Sequence, residues 1–114
     1  MQQDPLQPQR CAKLLAALAA PERLRIVRFL RDGPRNAGEI ADMLRTAAVN
    51  VSHHMNVLKS AGLVRGEKRG RFVLYSLLPG VLRTEDQKGA ADRIDLGCCR
   101  LELPARDAGA TEEG

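Results

Sequence analysis

The sequence has very few aromatic residues and no long apolar run. Among 114 residues there is no tryptophan, one tyrosine and two phenylalanines, so a core must be built from the aliphatic side chains that dominate the 44% hydrophobic content. No stretch approaches the roughly 20 apolar residues of a membrane-spanning helix, and the polar start over 1–5 is unlike a signal peptide. We therefore expect one cytoplasmic domain without membrane contact.

Cysteine is also scarce, with three residues, Cys11, Cys98 and Cys99. They are too few and too unevenly spaced for a disulfide framework, so in a reducing compartment they are buried small residues, metal ligands or redox thiols. The chain also lacks the signatures of an active site, such as a paired nucleophile and base, a phosphate-binding loop or a pair of acids. We predict that it is not an enzyme.

The positive charge is concentrated in one part of the chain. Residues 1–79 hold 13 Lys or Arg against 6 Asp or Glu, a net +7, whereas residues 80–114 hold 5 against 8, a net −3. A basic region of this kind is expected to meet a polyanion.

The helical spacing of apolar residues, together with helix-breaking residues, predicts the first three helices. A first helix covers roughly 10–19, and Pro21 opens a second that runs to about Arg31. This second helix buries its aliphatic residues and keeps four arginines outside: Arg23, Arg25, Arg28 and Arg31. Asn36, followed three residues later by Glu39, resembles a capping box that opens a third helix.

A fourth helix over about 47–61 follows the third after a few residues. Val51, Met55 and Leu58 give it one apolar face, and Gly62 is a natural stop. Short polar side chains surround its start and can donate to base edges or phosphates. Two short helices with a tight connection and this polarity form a helix-turn-helix.

After Gly62 the apolar period changes to that of strands. Residues 63–66 and 71–77 are rich in strand-forming residues and flank the basic tip 67–70. The predicted fold class is therefore mainly α with a β-hairpin wing (α+β), a winged helix-turn-helix.

Three ordered sequence blocks, at 19–26, 51–64 and 70–77, resemble the ArsR/SmtB family. The resemblance spans about residues 12–78. It implies a homodimeric winged-helix repressor that releases operator DNA when an inducer binds, often a toxic metal or metalloid.

The chain departs from two metal sites of that family. The stretch 36–41 has no Cys-x-Cys, and no histidine follows His54 to supply a C-terminal zinc site. Some family members instead carry an adjacent cysteine pair near the C-terminus or a cysteine in the first helix, and these sense arsenic. The resemblance thus implies metal ligands at Cys98 and Cys99 and favours Cys11 as a third. One hypothesis is that Cys11 of one protomer completes the site of the other, and a site within one protomer is the open alternative.

Thiolates suit As(III), Sb(III) and other thiophilic metals, and arsenite prefers three of them. The residue pattern leaves the backbone over 92–104 open between helix and strand. A regular strand would point Cys98 and Cys99 to opposite faces, and a bulge would bring them together. The competing interpretation is a pair of buried small residues, and for Cys11 it is packing on the apolar stripe of the first helix.

The chain divides into four predicted parts. Residues 1–9 form a flexible arm and 10–79 the DNA-binding domain. Residues 80–104 form the C-terminal dimerisation and effector-binding segment, with a short helix near 81–88. Residues 105–114 form a disordered tail.

The predicted function is a dimeric repressor that an inducer, most simply arsenite, releases from operator DNA, with no permanently bound cofactor. Adjacent histidines cannot share one helical face, so His53 and His54 are assigned to DNA or packing rather than to zinc. The predicted DNA-binding residues are Thr46, Ala48, Asn50, Ser52, His53, His54, Lys68, Arg69 and Arg71. The alternatives are a thiol-redox regulator without a metal and an interaction module that does not bind DNA.

Overall fold

The computed structural model describes residues 4–84 and 91–104. Within these residues the helices are α1 Pro8–Leu18, α2 Pro21–Phe29, α3 Ala37–Leu44 and α4 Ala48–Ser60, with a 3-10 turn at Leu30–Asp32 after α2. The strands are β1 Arg35–Asn36, β2 Val64–Arg69, β3 Phe72–Leu77, β4 Leu82–Thr84, β5 Ala91–Asp95 and β6 Arg100–Pro104. They form two antiparallel sheets, ordered β1-β3-β2 and β4-β5-β6.

The first three helices begin where the local sequence favours a start. Helices α1 and α2 have a proline in the first turn, where the missing N–H costs no hydrogen bond. At α3 the side chain of Asn36 accepts from the Glu39 N–H at 2.9 Å, and the Glu39 carboxylate accepts from the Asn36 N–H at 2.9 Å. This reciprocal pair confirms the predicted capping box.

One aliphatic core joins the helices to both sheets. The completely buried side chains are Ile26, Val27, Ile40, Val51, Met55, Leu58 and Ile94. Three of them, Val51, Met55 and Leu58, are the predicted apolar face of the fourth helix, which is confirmed. Because Ile94 belongs to β5, the second sheet shares the core of the helices.

A three-residue turn, 45–47, connects α3 to α4. Arg45 has a left-handed backbone with φ +57°, which is uncommon outside glycine. The Arg45 N–H donates to the Asp42 carbonyl at 3.3 Å, and the Thr46 N–H donates to the Ala41 carbonyl at 3.1 Å. These bonds end α3 and redirect the chain into α4, which gives the predicted helix-turn-helix.

The hairpin after α4 is the predicted wing. Strands β2 and β3 pair from Val64 opposite Leu77 to Arg69 opposite Phe72. Only Gly70 and Arg71 remain at the tip, and Gly70 has φ +61°. Strand β1 pairs with the other edge of β3, so the wing is fixed to the start of α3.

The C-terminal segment forms the second sheet. The helix predicted near 81–88 is wrong where the structure describes it, because 82–84 form β4 and pair with β5; residues 85–90 lie outside the described residues. The backbone over 92–104, left open between helix and strand, is a hairpin of β5 and β6. This conformation is stabilised by pairing between strands that are distant in sequence. The periodicity of a single segment contains no information on such pairing.

An ion pair with a buried carboxylate holds this sheet to the 3-10 turn after α2. The Nε of Arg31 lies 3.0 Å from Oδ1 of Asp92, and the Asp92 side chain is only 6% exposed. The prediction that Arg31 stays outside is therefore wrong, since its partner lies far along the chain on β5.

The ends of the chain differ slightly from expectation. Helix α1 begins at Pro8, two residues earlier than predicted, and a turn at 4–7 precedes it. The remaining arm residues 1–3 and the predicted tail 105–114 lie outside the described residues. No helix among the described residues has the length and apolarity to cross a membrane.

A candidate DNA-binding surface and a cysteine cluster

The start of α4 presents a row of predicted DNA-binding residues to solvent. Ala48, Asn50, Ser52 and His53 are exposed, and Thr46 is half-buried in the turn before the helix. The side-chain amide of Asn50 donates to Oγ1 of Thr46 at 2.8 Å, which fixes its orientation. No side chain caps α4; the Asn50 N–H donates to the Ala47 carbonyl at 3.0 Å, which leaves the N–H groups before Asn50 to a partner.

Val49 lies on the same turn and is not among the predicted DNA-binding residues. Its side chain is 73% exposed, more than the other large exposed apolar residues of the described chain. The DNA-binding residues are predicted mainly from side chains that form hydrogen bonds or carry charge, and valine does neither. The available signal was its position between Ala48 and Asn50.

His54 lies at the side of this row, where α4 meets α2. Its Nδ1 lies 3.1 Å from a guanidinium nitrogen of Arg23, which also donates to the carbonyl of Ala17 at the end of α1. Burial lowers the pKa of His54 below 6.5; the charges of Arg23 and His53 lower it further, while Glu22 opposes them. Arg23 is thus half-buried rather than outside as predicted, and it joins three helices.

The wing presents the other predicted DNA-binding residues. Lys68, Arg69 and Arg71 are exposed, and Arg69 is 3.3 Å from the carboxylate of Glu67. At the tip Phe72 is 58% exposed. The tip of the wing, residues 68–72, therefore carries three cations and one aromatic ring on a short, paired hairpin.

The three cysteines meet between α1 and the β5–β6 hairpin. Cys11 is buried on α1 and bonded to Cys98, with their Cα atoms 6.0 Å apart. Cys99 is a free thiol whose Sγ lies 3.7 Å from Sγ of Cys11 and 4.0 Å from Sγ of Cys98. All three sulfurs lie within 4.8 Å of one another.

A tight turn brings the adjacent cysteines to one side. The four residues 96–99 link β5 to β6, and Gly97 has φ +86°. The Gly97 N–H donates to the Asp95 carboxylate at 2.9 Å, and the Leu96 N–H donates to the Cys99 carbonyl at 2.9 Å. The pair thus lies in a turn, outside the strand or bulge that the alternation suggested, and Gly97 was the signal for it.

The cluster is complete within one chain. All three sulfurs come together without a second protomer, and the expectation that Cys11 joins the cysteine pair of a second protomer stays a prediction. In the reduced state they would offer three soft donors to one ion. In the oxidised state two of them form the bond that is seen, and one thiol remains.

Comparison with known proteins identifies relatives of the helical and wing region. A family model described as a helix-turn-helix domain matches residues 18–67. The transcriptional repressor SmtB of Mycobacterium tuberculosis is 49% identical over 65 residues, 57% of this chain and 48% of that protein. The transcriptional repressor SdpR of Bacillus subtilis is 36% identical over 67 residues, 59% of this chain and 74% of that protein.

A solved structure shows the same architecture. The homodimeric winged helix-turn-helix DNA-binding domain of a Mycobacterium bovis protein, "a possible ArsR-family transcriptional regulator", has a TM-score of 0.61 and 29% identity. It covers 67% of this chain, which covers 72% of it. The chain spans about half the length of the mycobacterial repressor that it matches. All three cysteines lie outside the residues of the family model, so that match does not account for the cluster.

Proposed function

The chain belongs to the ArsR/SmtB family of winged helix-turn-helix transcriptional regulators, and from this premise we propose that it represses transcription by binding operator DNA as a dimer. We further propose that a thiophilic ligand releases it. The observation that carries the second proposal is the group of three cysteine sulfurs within 4.8 Å.

The charge and shape of the first 79 residues support DNA binding. They carry a net charge of +7, against +4 for the whole chain, and α4 offers polar side chains and N–H groups that no side chain caps at its start. Helix α4 is the recognition helix for a major groove, and the wing cations meet phosphates beside it. Relatives named as transcriptional repressors support the same role.

The chemistry of the cysteine cluster favours arsenite as the inducer. Three thiols condense with As(OH)3 to give a pyramidal As(S)3 centre and three waters, without any oxidant or reductant. The donor set holds sulfur alone, which suits As(III) and Sb(III) and disfavours hard cations. Once the Cys11–Cys98 bond is reduced to two thiols by a cellular dithiol, the three sulfurs lie close enough that a small change in the turn at 96–99 completes the centre.

The position of Cys11 links such a ligand to the DNA-binding face. Cys11 lies in α1, and the end of α1 is bonded through Arg23 to His54 on α4. A ligand that pulls α1 toward the hairpin therefore changes the orientation of α4 through these Arg23 contacts. We expect DNA affinity to fall by about 5- to 150-fold, the usual range of coupling between two sites.

The disulfide supports a second candidate, release by oxidation. Cys11 and Cys98 are bonded in the structure. Two thiols and one hydrogen peroxide give this disulfide and two waters, and Cys99 is not consumed. Oxidation would then act on α1 in the same way as a metalloid.

One experiment separates these mechanisms. The reduced protein is titrated onto the duplex upstream of its own gene, alone, with arsenite, or with hydrogen peroxide followed by its removal. We expect arsenite to release wild type but not a Cys98→Ser/Cys99→Ser double variant.

The single variant Cys99→Ser is the matched control, because it keeps the Cys11–Cys98 pair. It should lose the arsenite response, which needs three sulfurs, and keep any response to peroxide. If arsenite leaves wild type bound, the metalloid proposal fails. If no duplex binds even at low salt, the chain is an interaction module and the repressor proposal fails.

A further inference from the structure

Val49 is exposed at the point of α4 that would face DNA. Its side chain is 73% accessible, and its neighbours Ala48 and Asn50 are exposed as well. In a helix valine is less favourable than alanine, because its branched side chain loses rotamer freedom. Neither local helix stability nor the core explains valine at this position.

The major groove of DNA offers one apolar group on its base edges, the C5 methyl of thymine. We propose that Val49 contacts this methyl group and so selects an A·T pair in the operator. The inference rests on the proposed function, since it requires α4 to enter the major groove. It adds a specificity-determining residue that makes no hydrogen bond.

The surroundings of Val49 favour DNA over a protein partner. Val49 is followed on the exposed side of α4 by Asn50, Ser52 and His53, which are polar. One apolar side chain within a polar row buries far too little area for a protein interface. This row of one apolar and several polar side chains is complementary to the major-groove edge of an A·T pair, where the thymine methyl group lies beside hydrogen-bond donors and acceptors.

Asn50 strengthens the assignment. One N–H of its amide is held by Thr46, and its oxygen and second N–H remain for the N6 and N7 positions of adenine. Helix α4 is therefore suited to read A·T pairs with two adjacent residues, one through a methyl group and one through hydrogen bonds.

The test removes the two partners of the contact separately. The wild-type protein selects duplexes from a randomised library at low salt, and each thymine of the recovered half-site is replaced in turn by uracil, which lacks only the methyl group. Affinities of wild type and Val49→Ala are measured by fluorescence anisotropy under reducing conditions.

We expect one uracil position in each half-site to weaken wild type about fourfold, the effect of burying one methyl group. Val49→Ala should bind the unmodified duplex more weakly and be insensitive to uracil at that position. Its salt dependence should equal that of wild type, because no charge is lost. Ser52→Ala, the matched control on the same helix, should keep the sensitivity to uracil.

Two results would overturn the inference in distinguishable ways. If each uracil replacement weakens the binding of Val49→Ala as much as it weakens the binding of wild type, Val49 contacts no thymine methyl group although the protein binds DNA. If no duplex is recovered, the proposed function fails and this inference fails with it. Alanine is the better helix former, so loss of folding cannot explain an effect of Val49→Ala.

Discussion

At the scale of single residues, burial and the neighbouring Arg23 both favour the neutral form of His54. The guanidinium can only donate, so Nδ1 of His54 must accept and the ring must be neutral with its proton on Nε2. Burial of the ring acts in the same direction and lowers its pKa. The contact between α2 and α4 therefore depends on a neutral histidine.

Acidification is expected to weaken this contact. Because the pKa of His54 in the folded protein lies below its ordinary value of 6.5, the folded state binds fewer protons there than the unfolded state. Stability from this group is present above pH 6.5 and is lost as the pH falls. We predict that wild type loses more stability than His54→Gln between pH 7.5 and 5.5 in urea denaturation of reduced protein. Equal losses would contradict this assignment.

At the scale of elements, the ion pair between Arg31 and Asp92 fastens the second sheet to the helices. Arg31→Met keeps most of the side-chain stem and leaves a buried carboxylate without this cation. We expect a loss of about 1–3 kcal/mol in the free energy of unfolding, since the pair is only partly shielded from water. Hydrogen exchange should quicken in β5 more than in α4.

A double-mutant cycle supplies the control for that prediction. Asp92→Asn removes the charge that Arg31 compensates, so Arg31→Met should cost less in the Asp92→Asn background than in wild type. Additive costs would show that the two residues act independently.

We predict that the wing approaches the bound DNA duplex. The chain has no tryptophan, so Phe72→Trp places a single tryptophan at the exposed tip. We expect its emission to change when a duplex is added, because the flanking cations bring the tip to the DNA backbone. Unchanged emission, under conditions where a labelled duplex shows binding by anisotropy, would place the wing away from DNA.

The sequence predicted the winged helix-turn-helix well because its signals are local. The capping pair Asn36 and Glu39 and the apolar face of α4 depend on residues a few positions apart. The second sheet depends on pairing between distant strands, and Arg31 finds its partner on β5, so neither was predicted. The meeting of Cys11 with Cys98 likewise follows from the packing of α1 on the hairpin. The assignments of DNA-binding residues remain predictions.

At the scale of the whole molecule, the salt dependence of DNA binding indicates how many protomers contact the duplex, because the positive charge is concentrated in the DNA-binding part of each chain. Each phosphate contact contributes about 0.9 to the slope of log affinity against log salt concentration. A dimer has two copies of Arg71, which is exposed at the wing tip. We predict that Arg71→Ala lowers the slope by about 2, twice the effect of one contact.

The matched control is Arg100→Ala, an exposed arginine on β6 in the acidic part of the chain. It should leave the salt dependence unchanged. A decrease of about 1 for Arg71→Ala would indicate that one protomer binds.

The link from Cys11 to Cys98 spans 87 positions, so a bond across the cluster closes the chain into a ring. The ring contains nearly all of the helical region and the whole wing. An unfolded chain tied at both ends has far fewer conformations, which favours the folded state by roughly 4.5 kcal/mol. If oxidation releases the protein from DNA, as proposed above, the released form is also the form that proteases degrade most slowly. Under that proposal, a cell would keep the protein through the stress and restore repression without new synthesis.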